Sequence, residues 1–289
     1  MTTISADVFS MTPCRVGESP VWDDARKRLL WVDIPKGRIH AKGEDGGAET
    51  YWDLPEPVGS FGLTDDDRLV VAMASGVYLF APDTGKLDCL VEPEPGEYAR
   101  PAKNRLNDGK VGPDGAFWVG SMHRDKPTAA LWRVTADGRA ERKIRDLSTS
   151  NGLAFSADGR MLFHSDSRQR WIERWRLDPQ TGAISERTRI ADLEEEDGRP
   201  DGAATDQEGR YWSAGVSAGR LNCFSPEGEL LKSIPVPPDA PTMPCFGGSD
   251  MKTLFFTSLR RPESQNPNCG LVFSLRVDVP GVPVHRFRT

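Results

Sequence analysis

N-G-L-A-F-S-A-D-G-R-M-L-F, residues 151–163, reads as a polar residue, an apolar stretch, a turn and a second apolar stretch. The pattern recurs as E-S-P-V-W-D-D-A-R-K-R-L-L-W (18–31), N-D-G-K-V-G-P-D-G-A-F-W (107–118) and D-G-A-A-T-D-Q-E-G-R-Y-W (201–212). Glu18, Asn107, Asn151 and Asp201 open the four copies, and a step of eight residues from each lands on the turn, at Arg26, Gly115, Gly159 and Gly209. Ser60 stands in the same register before the D-D-D-R turn that ends at Arg68. Turns of the D-G kind supply the positive backbone angles of tight hairpins, so each copy is read as two strands. An oxygen-bearing side chain at one fixed position per copy is what a ring of blades needs to aim such groups at a shared centre.

Apolar runs that follow turn signals recur at 29–32, 69–72, 117–119, 161–163, 211–212 and 254–256. Their spacing of roughly 40 to 50 residues is the period of a four-stranded propeller blade. Second hairpins with their own turns lie between them, at 82–85, 136–138, 178–182 and 225–228. Six runs predict an all-β, six-bladed β-propeller over residues 1–289 as a single domain. No stretch of about ten residues carries helical periodicity. The acidic run at 194–197 is read as a solvated loop, and the proline-rich stretch at 235–244 as a connection between blades five and six. Either the N-terminal stretch at 8–11 or the C-terminal V-P-V-H-R-F-R can pair with the last blade and close the ring, removing its open edges.

The totals agree with such a fold. Glycine (28) and proline (23) make about 18% of the 289 residues, against about 12% in average usage. A net charge of −6 argues against a nucleic-acid partner, which needs a basic footprint, and favours attraction of cations. The five cysteines, Cys14, Cys89, Cys223, Cys245 and Cys269, include no C-x-x-C and read as buried thiols of a reducing compartment. The N-terminus lacks the basic start and apolar core of a signal peptide, and no run approaches the ~18 apolar residues of a membrane helix. The expectation is a cytoplasmic protein, monomeric or weakly oligomeric, with no membrane partner.

The innermost strand of a propeller blade faces the central channel, so Glu18, Asn107, Asn151 and Asp201 are expected to meet there. Two carboxylates with amide oxygens form a hard donor set suited to Ca²⁺, Mg²⁺ or Mn²⁺. Two such carboxylates without a cation would raise the pKa of one of them by repulsion. The bland alternative is that these residues cap strand ends or bind channel water.

R-V-G-E-S-P (15–20), N-R-L-N-D-G-K (104–110), S-N-G-L (150–153), R-P-D-G (199–202) and P-C-F-G-G (244–248) together resemble the signature segments of the senescence marker protein (regucalcin)/gluconolactonase family. The resemblance runs from about residue 14 to residue 278. It implies a six-bladed propeller and a metal-dependent lactonase that opens an aldono-lactone to its acid. It also implies one divalent ion, whether Ca, Mn, Mg, Zn or Fe(II), held by Glu18, Asn151 and Asp201. By the same resemblance Arg105 and Asn107 contact the sugar lactone, and Asp125 matches an acidic position near the metal more loosely.

The chemistry follows from those residue types. A divalent ion polarises a lactone carbonyl and stabilises the oxyanion formed on attack. A carboxylate beside the attacking water can take its proton; Asp201 is the expected base, with Glu18 the other candidate. Arg105 stays protonated, and its forked donors suit sugar oxygens. His123 is read as lining either the substrate mouth or a surface loop, His164 as a packed or hydrogen-bonded strand residue, and Asp108 as either an anchor for the loop bearing Asn107 or an acceptor behind the residues that touch the ligand. Trp118, Trp132, Trp175 and Trp212 are read as core. Two further readings stay open: a phosphotriesterase or aryl-esterase on the same scaffold, and a non-catalytic calcium-binding propeller.

Overall fold

The computed structural model of the chain describes residues 6–95 and 104–289. Its strands form six four-stranded antiparallel sheets arranged as the blades of a β-propeller. The inner strands are Gly17–Asp23, Val58–Leu63, Arg105–Val111, Ser150–Phe155, Pro200–Thr205 and Pro241–Gly247, one for each of blades 1 to 6. Each is followed across a tight turn by the apolar strand foreseen from the sequence: Arg28–Asp33, Leu69–Met73, Phe117–Met122, Met161–Asp166, Tyr211–Gly215 and Thr253–Ser258. Those turns need one residue in the left-handed region. Gly115, Gly159 and Gly209 supply it in blades 3 to 5, while Lys27, Asp67 and Met251 take it in blades 1, 2 and 6.

Neighbouring sheets pack face to face through apolar side chains. Between blades 1 and 2, Val21, Leu30 and Val32 meet Phe61, Leu63 and Val71, all buried. Each fully buried side chain of this kind contributes about 1.5–3 kcal/mol, so the ring rests on the seams between blades. Trp118 and Trp212 are buried in such seams, whereas Trp132 and Trp175 are half-buried and pack against the seams from outside. Four of the five cysteines are buried free thiols, and Cys89 is exposed on an outer strand.

The N-terminal strand Asp7–Ser10 pairs antiparallel with Val272–Arg276, with Val8 opposite Phe273, and so completes blade 6. The C-terminal segment does something else. Val282 N–H donates to Thr205 (2.9 Å), Phe287 N–H to Leu63 (2.8 Å) and Arg288 N–H to Gly115 (3.0 Å). It therefore crosses the turn end of the ring, touching blades 5, 2 and 3, with Phe287 buried there. Pro280 and Pro283 lack the N–H groups a ladder strand needs. The proline-rich stretch also differs from expectation: Pro241–Gly247 is the inner strand of blade 6, which leaves only a short connection before it. The run at 194–197 is mostly exposed loop. Among the described residues no helix is long and apolar enough to cross a membrane.

Candidate functional site

Every inner strand carries one extra residue near its start. In blade 4, Asn151 lies opposite Ser165 and Ala154 opposite Phe163, three steps against two. The same slip occurs between Glu18 and Val21, Leu106 and Gly109, Pro200 and Ala203, Pro241 and Pro244, and Val58 and Ser60. A β-bulge breaks the alternation of the strand and re-aims the side chains beside it. Repeated six times, it turns the polar register position of each blade toward the end of the channel away from the C-terminal segment. Gly152, in the blade 4 bulge, has φ +66°, and a Cβ there would lie 2.3 Å from the Tyr211 hydroxyl.

The four polar residues meet as the register requires. Asn151 Nδ2 donates to Asp201 Oδ1 at 2.6 Å and to Ser167 Oγ at 2.7 Å. Asn107 Nδ2 donates to Asn151 Oδ1 at 2.7 Å, and Arg105 Nη1 donates to Asn107 Oδ1 at 3.0 Å. Glu18 Oε2 accepts from the Ser19 backbone N–H at 2.6 Å. Glu18, Arg105, Asn107, Asp108, Asn151 and Asp201 all line one cavity of about 510 Å3. The other two register positions hold hydroxyls that stitch blades together: Ser60 Oγ donates to the Asn107 carbonyl (2.7 Å) and Thr242 Oγ1 to the Gly17 carbonyl.

Three carboxyls share the floor, and each is harder to ionise than usual. Burial, then Asp201 and Asp108, push Glu18 well above the ordinary carboxylate range. Burial and the Asp108 charge push Asp201 up to about 8, against the pull of Arg105. Burial raises Asp108, which Lys110 partly offsets. Lys110 Nζ donates to the Ala203 carbonyl at 2.8 Å and borders a second, smaller cavity closed by 282–285. Asp108 Oδ2 accepts from Leu153 N–H at 3.1 Å, tying blade 3 to blade 4, while its Oδ1 is buried without a partner.

Not every candidate reaches this cavity. Asp125 is exposed on the loop after Phe117–Met122 and is not among the residues lining the cavity. His123 is buried beneath that loop, its Nδ1 accepting from the N–H groups of Asp125 and Lys126 at 2.9 Å each. His164 packs against Trp171 and lies 2.8 Å from Ser150 Oγ through Nε2. Sequence reasoning missed Thr242, although it stands eight residues before Asp250 at the sixth turn. It also missed Arg168, Arg199 and Arg261, which line the cavity from loops outside the repeat register. Among the described residues no three or more His, Cys, Asp and Glu side chains are grouped to hold a metal ion.

A six-bladed ring whose bulged inner strands deliver carboxylates and amides to one channel mouth defines a propeller with a polar axial cavity. The chain belongs to the family described as SMP-30/Gluconolactonase/LRE-like region, which it matches over residues 16–260. It is 39% identical to the 6-deoxy-6-sulfogluconolactonase of Pseudomonas putida over 277 residues, 93% of this chain and 94% of that one. It is 30% identical to a pentonolactonase of Haloferax volcanii, covering 95% of each. Among solved structures, the calcium-binding protein regucalcin of Agrobacterium tumefaciens superposes with a TM-score of 0.92 at 28% identity over the full length of both chains. The resemblance of the five signature segments is thereby borne out.

Proposed function

We propose that the chain is a metal-dependent lactonase that opens a sugar lactone to the corresponding acid in the axial cavity. The observation that carries this reading is the convergence of Glu18 from blade 1 and Asp201 from blade 5 on one cavity with Asn107 and Asn151 between them. The relatives named for lactone hydrolysis, one on a sulfonated gluconolactone and one on a pentonolactone, support the reaction class.

The donor set fits a hard divalent cation. Glu18 and Asp201 raise the cost of ionisation at the site, with Asp108 adding to it; a 2+ charge would remove that cost. Glu18, Asn151 and Asp201 would hold it through oxygens, as Ca²⁺, Mg²⁺ and Mn²⁺ prefer. Asn151 now points its Nδ2 at Asp201, so ligation requires its amide to turn and exchange Nδ2 for Oδ1, a change with little effect on shape. The calcium-binding relative supports a divalent ion without naming the one used here. When bound, the ion supplies Lewis-acid polarisation of the lactone carbonyl and charge for the oxyanion.

The remaining work falls to the chain's own groups. Asp201, buried apart from the edge it presents to the cavity, takes the proton of the attacking water. With a divalent ion beside it the carboxylate would be ionised, the form that can accept that proton. Arg105 and Asn107, already hydrogen-bonded to each other, orient the sugar hydroxyls and ring oxygen. Among the described residues lining the cavity none is aromatic, which favours a sugar over a bulky aryl ester. A pH-indicator assay on glucono-, galactono-, xylono- and arabinono-lactones, with and without chelator, tests the reading. Acid release that stops on chelation and returns with divalent ions is expected; no release from any lactone would end it.

A further inference from the structure

The cavity that gathers the carboxylates is also ringed by cations, in a chain whose net charge is −6. Arg105, Arg168, Arg199 and Arg261 all line it. Arg168 follows the second strand of blade 4, Arg199 immediately precedes the inner strand of blade 5, and Arg261 lies in the loop after the second strand of blade 6. Arg261 Nη2 donates to the Val216 carbonyl at 2.9 Å, and Val216 N–H donates to the Arg199 carbonyl at 3.0 Å. The two arginines are thus tied to one strip of backbone at the rim. Arg168 Nη1 donates to the Arg124 carbonyl.

Arg168 and Arg261 donate to backbone carbonyls, which carry no charge. Among the described residues, Arg168, Arg199 and Arg261 form no ion pair with a carboxylate, and the Arg199 guanidinium has no hydrogen-bond partner. Several arginines elsewhere are matched, Arg38 with Asp53, Arg133 with Asp114, Arg210 with Asp206 and Arg276 with Asp250; what sets these three apart is that they face one cavity together. Guanidiniums are built for bidentate capture of oxyanions. Three of them facing one cavity, with the carboxylates grouped at the axis instead, give the site a negative-charge-seeking rim above a cation-seeking floor. A neutral sugar ring uses the floor and leaves the rim without a counterpart.

We infer that the substrate is a sugar lactone bearing a fixed negative charge, a sulfonate, phosphate or carboxylate, at the end of the sugar remote from the lactone carbonyl. Arg199 and Arg261 grip that group, with Arg168 completing the arc, while the lactone lies over Asp201. The inference rests on the lactonase reading for the reaction but not for the anion site.

The experiment has two arms. In the first, kcat/KM is compared for gluconolactone and for the same lactone carrying a terminal phosphate, sulfonate or carboxylate, in the parent chain and in Arg199→Gln/Arg261→Gln and Arg168→Gln variants whose melting curves show them folded. The parent is expected to favour at least one charged lactone by roughly tenfold to a hundredfold, mainly through KM. That preference should shrink in the variants and at high salt, as screening requires. In the second arm, sorbitol 6-phosphate and sorbitol, which have no lactone to open, are titrated by calorimetry. Binding of the phosphate alone, weakened in the double variant, supports the anion site even if no lactone is hydrolysed, an outcome that would overturn only the lactonase reading. Equal kcat/KM for neutral and all charged lactones, with sorbitol 6-phosphate binding no better than sorbitol, overturns the inference while leaving lactone hydrolysis standing.

Discussion

Asn151 and Asp201, 50 residues apart on the inner strands of adjacent blades, lie in direct contact, the amide donating to the carboxylate at 2.6 Å. The same amide accepts from Asn107 through Oδ1, so one side chain relays between blades 3 and 5. The contact holds the Asp201 carboxylate against the blade 4 inner strand.

Asp201→Asn preserves shape and an oxygen donor but removes charge and basicity. Turnover should fall by at least ~100-fold, with a normal melting curve, because the apolar seams between blades are untouched. Arg105→Ala should act mainly on KM. Kinetics read beside metal content decide the assignment: a parent-like rate in metal-loaded Asp201→Asn would pass the role of base to Glu18.

Metal-free protein should lose stability as pH rises. Glu18 and Asp201 have folded-state pKa values raised above the ordinary carboxylate value of about 4, Asp201 to about 8. The folded state therefore holds more protons than the unfolded chain between those limits. Stability from these groups is full below pH ~4 and is lost on the way up through the folded values. Thermal melts in chelator at pH 5 and pH 8 should show the drop, and Ca²⁺ or Mn²⁺ should lift the pH 8 melt more than the pH 5 melt. A chelated protein with no such difference between the two pH values would count against the buried carboxylate cluster.

His164 works in the opposite direction. Burial lowers its pKa to about 3, so between about 6.5 and 3 the unfolded chain binds the extra proton and stability falls with falling pH, by about 1.4 kcal/mol per unit for one proton. Denaturant unfolding at pH 7 and pH 4.5 should show a smaller acid loss in His164→Gln than in the parent. Equal losses would mean that the ring is protonated in the fold.

Gly152→Ala tests the bulge. Its φ of +66° and a Cβ 2.3 Å from the Tyr211 hydroxyl and 2.4 Å from Ser165 Oγ leave no room for a methyl group. A loss of about 1–3 kcal/mol is expected, together with reduced activity because Asn151 is the residue immediately before it. A variant with parent stability would show that the bulge relaxes freely.

Much of the ring was legible because its rules are local. A turn eight residues after a polar position, an apolar strand after the turn and a period of about 40 to 50 residues are read along the chain, and they placed Glu18, Asn107, Asn151 and Asp201 together in the channel. The bulges were not legible, since no residue type marks them in every blade: Ser19, Asp108, Gly152, Gly202 and Met243 all follow the register position. Thr242 was hidden by prolines at 241 and 244 that read as loop but sit at the bulge, where a missing N–H costs no ladder bond.

By itself the sequence determined the blade count and the oxygen-rich register, because strand periodicity and turn chemistry act between near neighbours, but it left either terminus free to close blade 6. Only the tertiary structure decided that the C-terminal segment crosses the turn end of the channel rather than joining a sheet, that Asp125 stays outside the cavity, and that Arg168, Arg199 and Arg261 line one rim. Those placements depend on loops from different blades converging in space, and no period along the chain encodes where a loop's side chain meets one from two blades away.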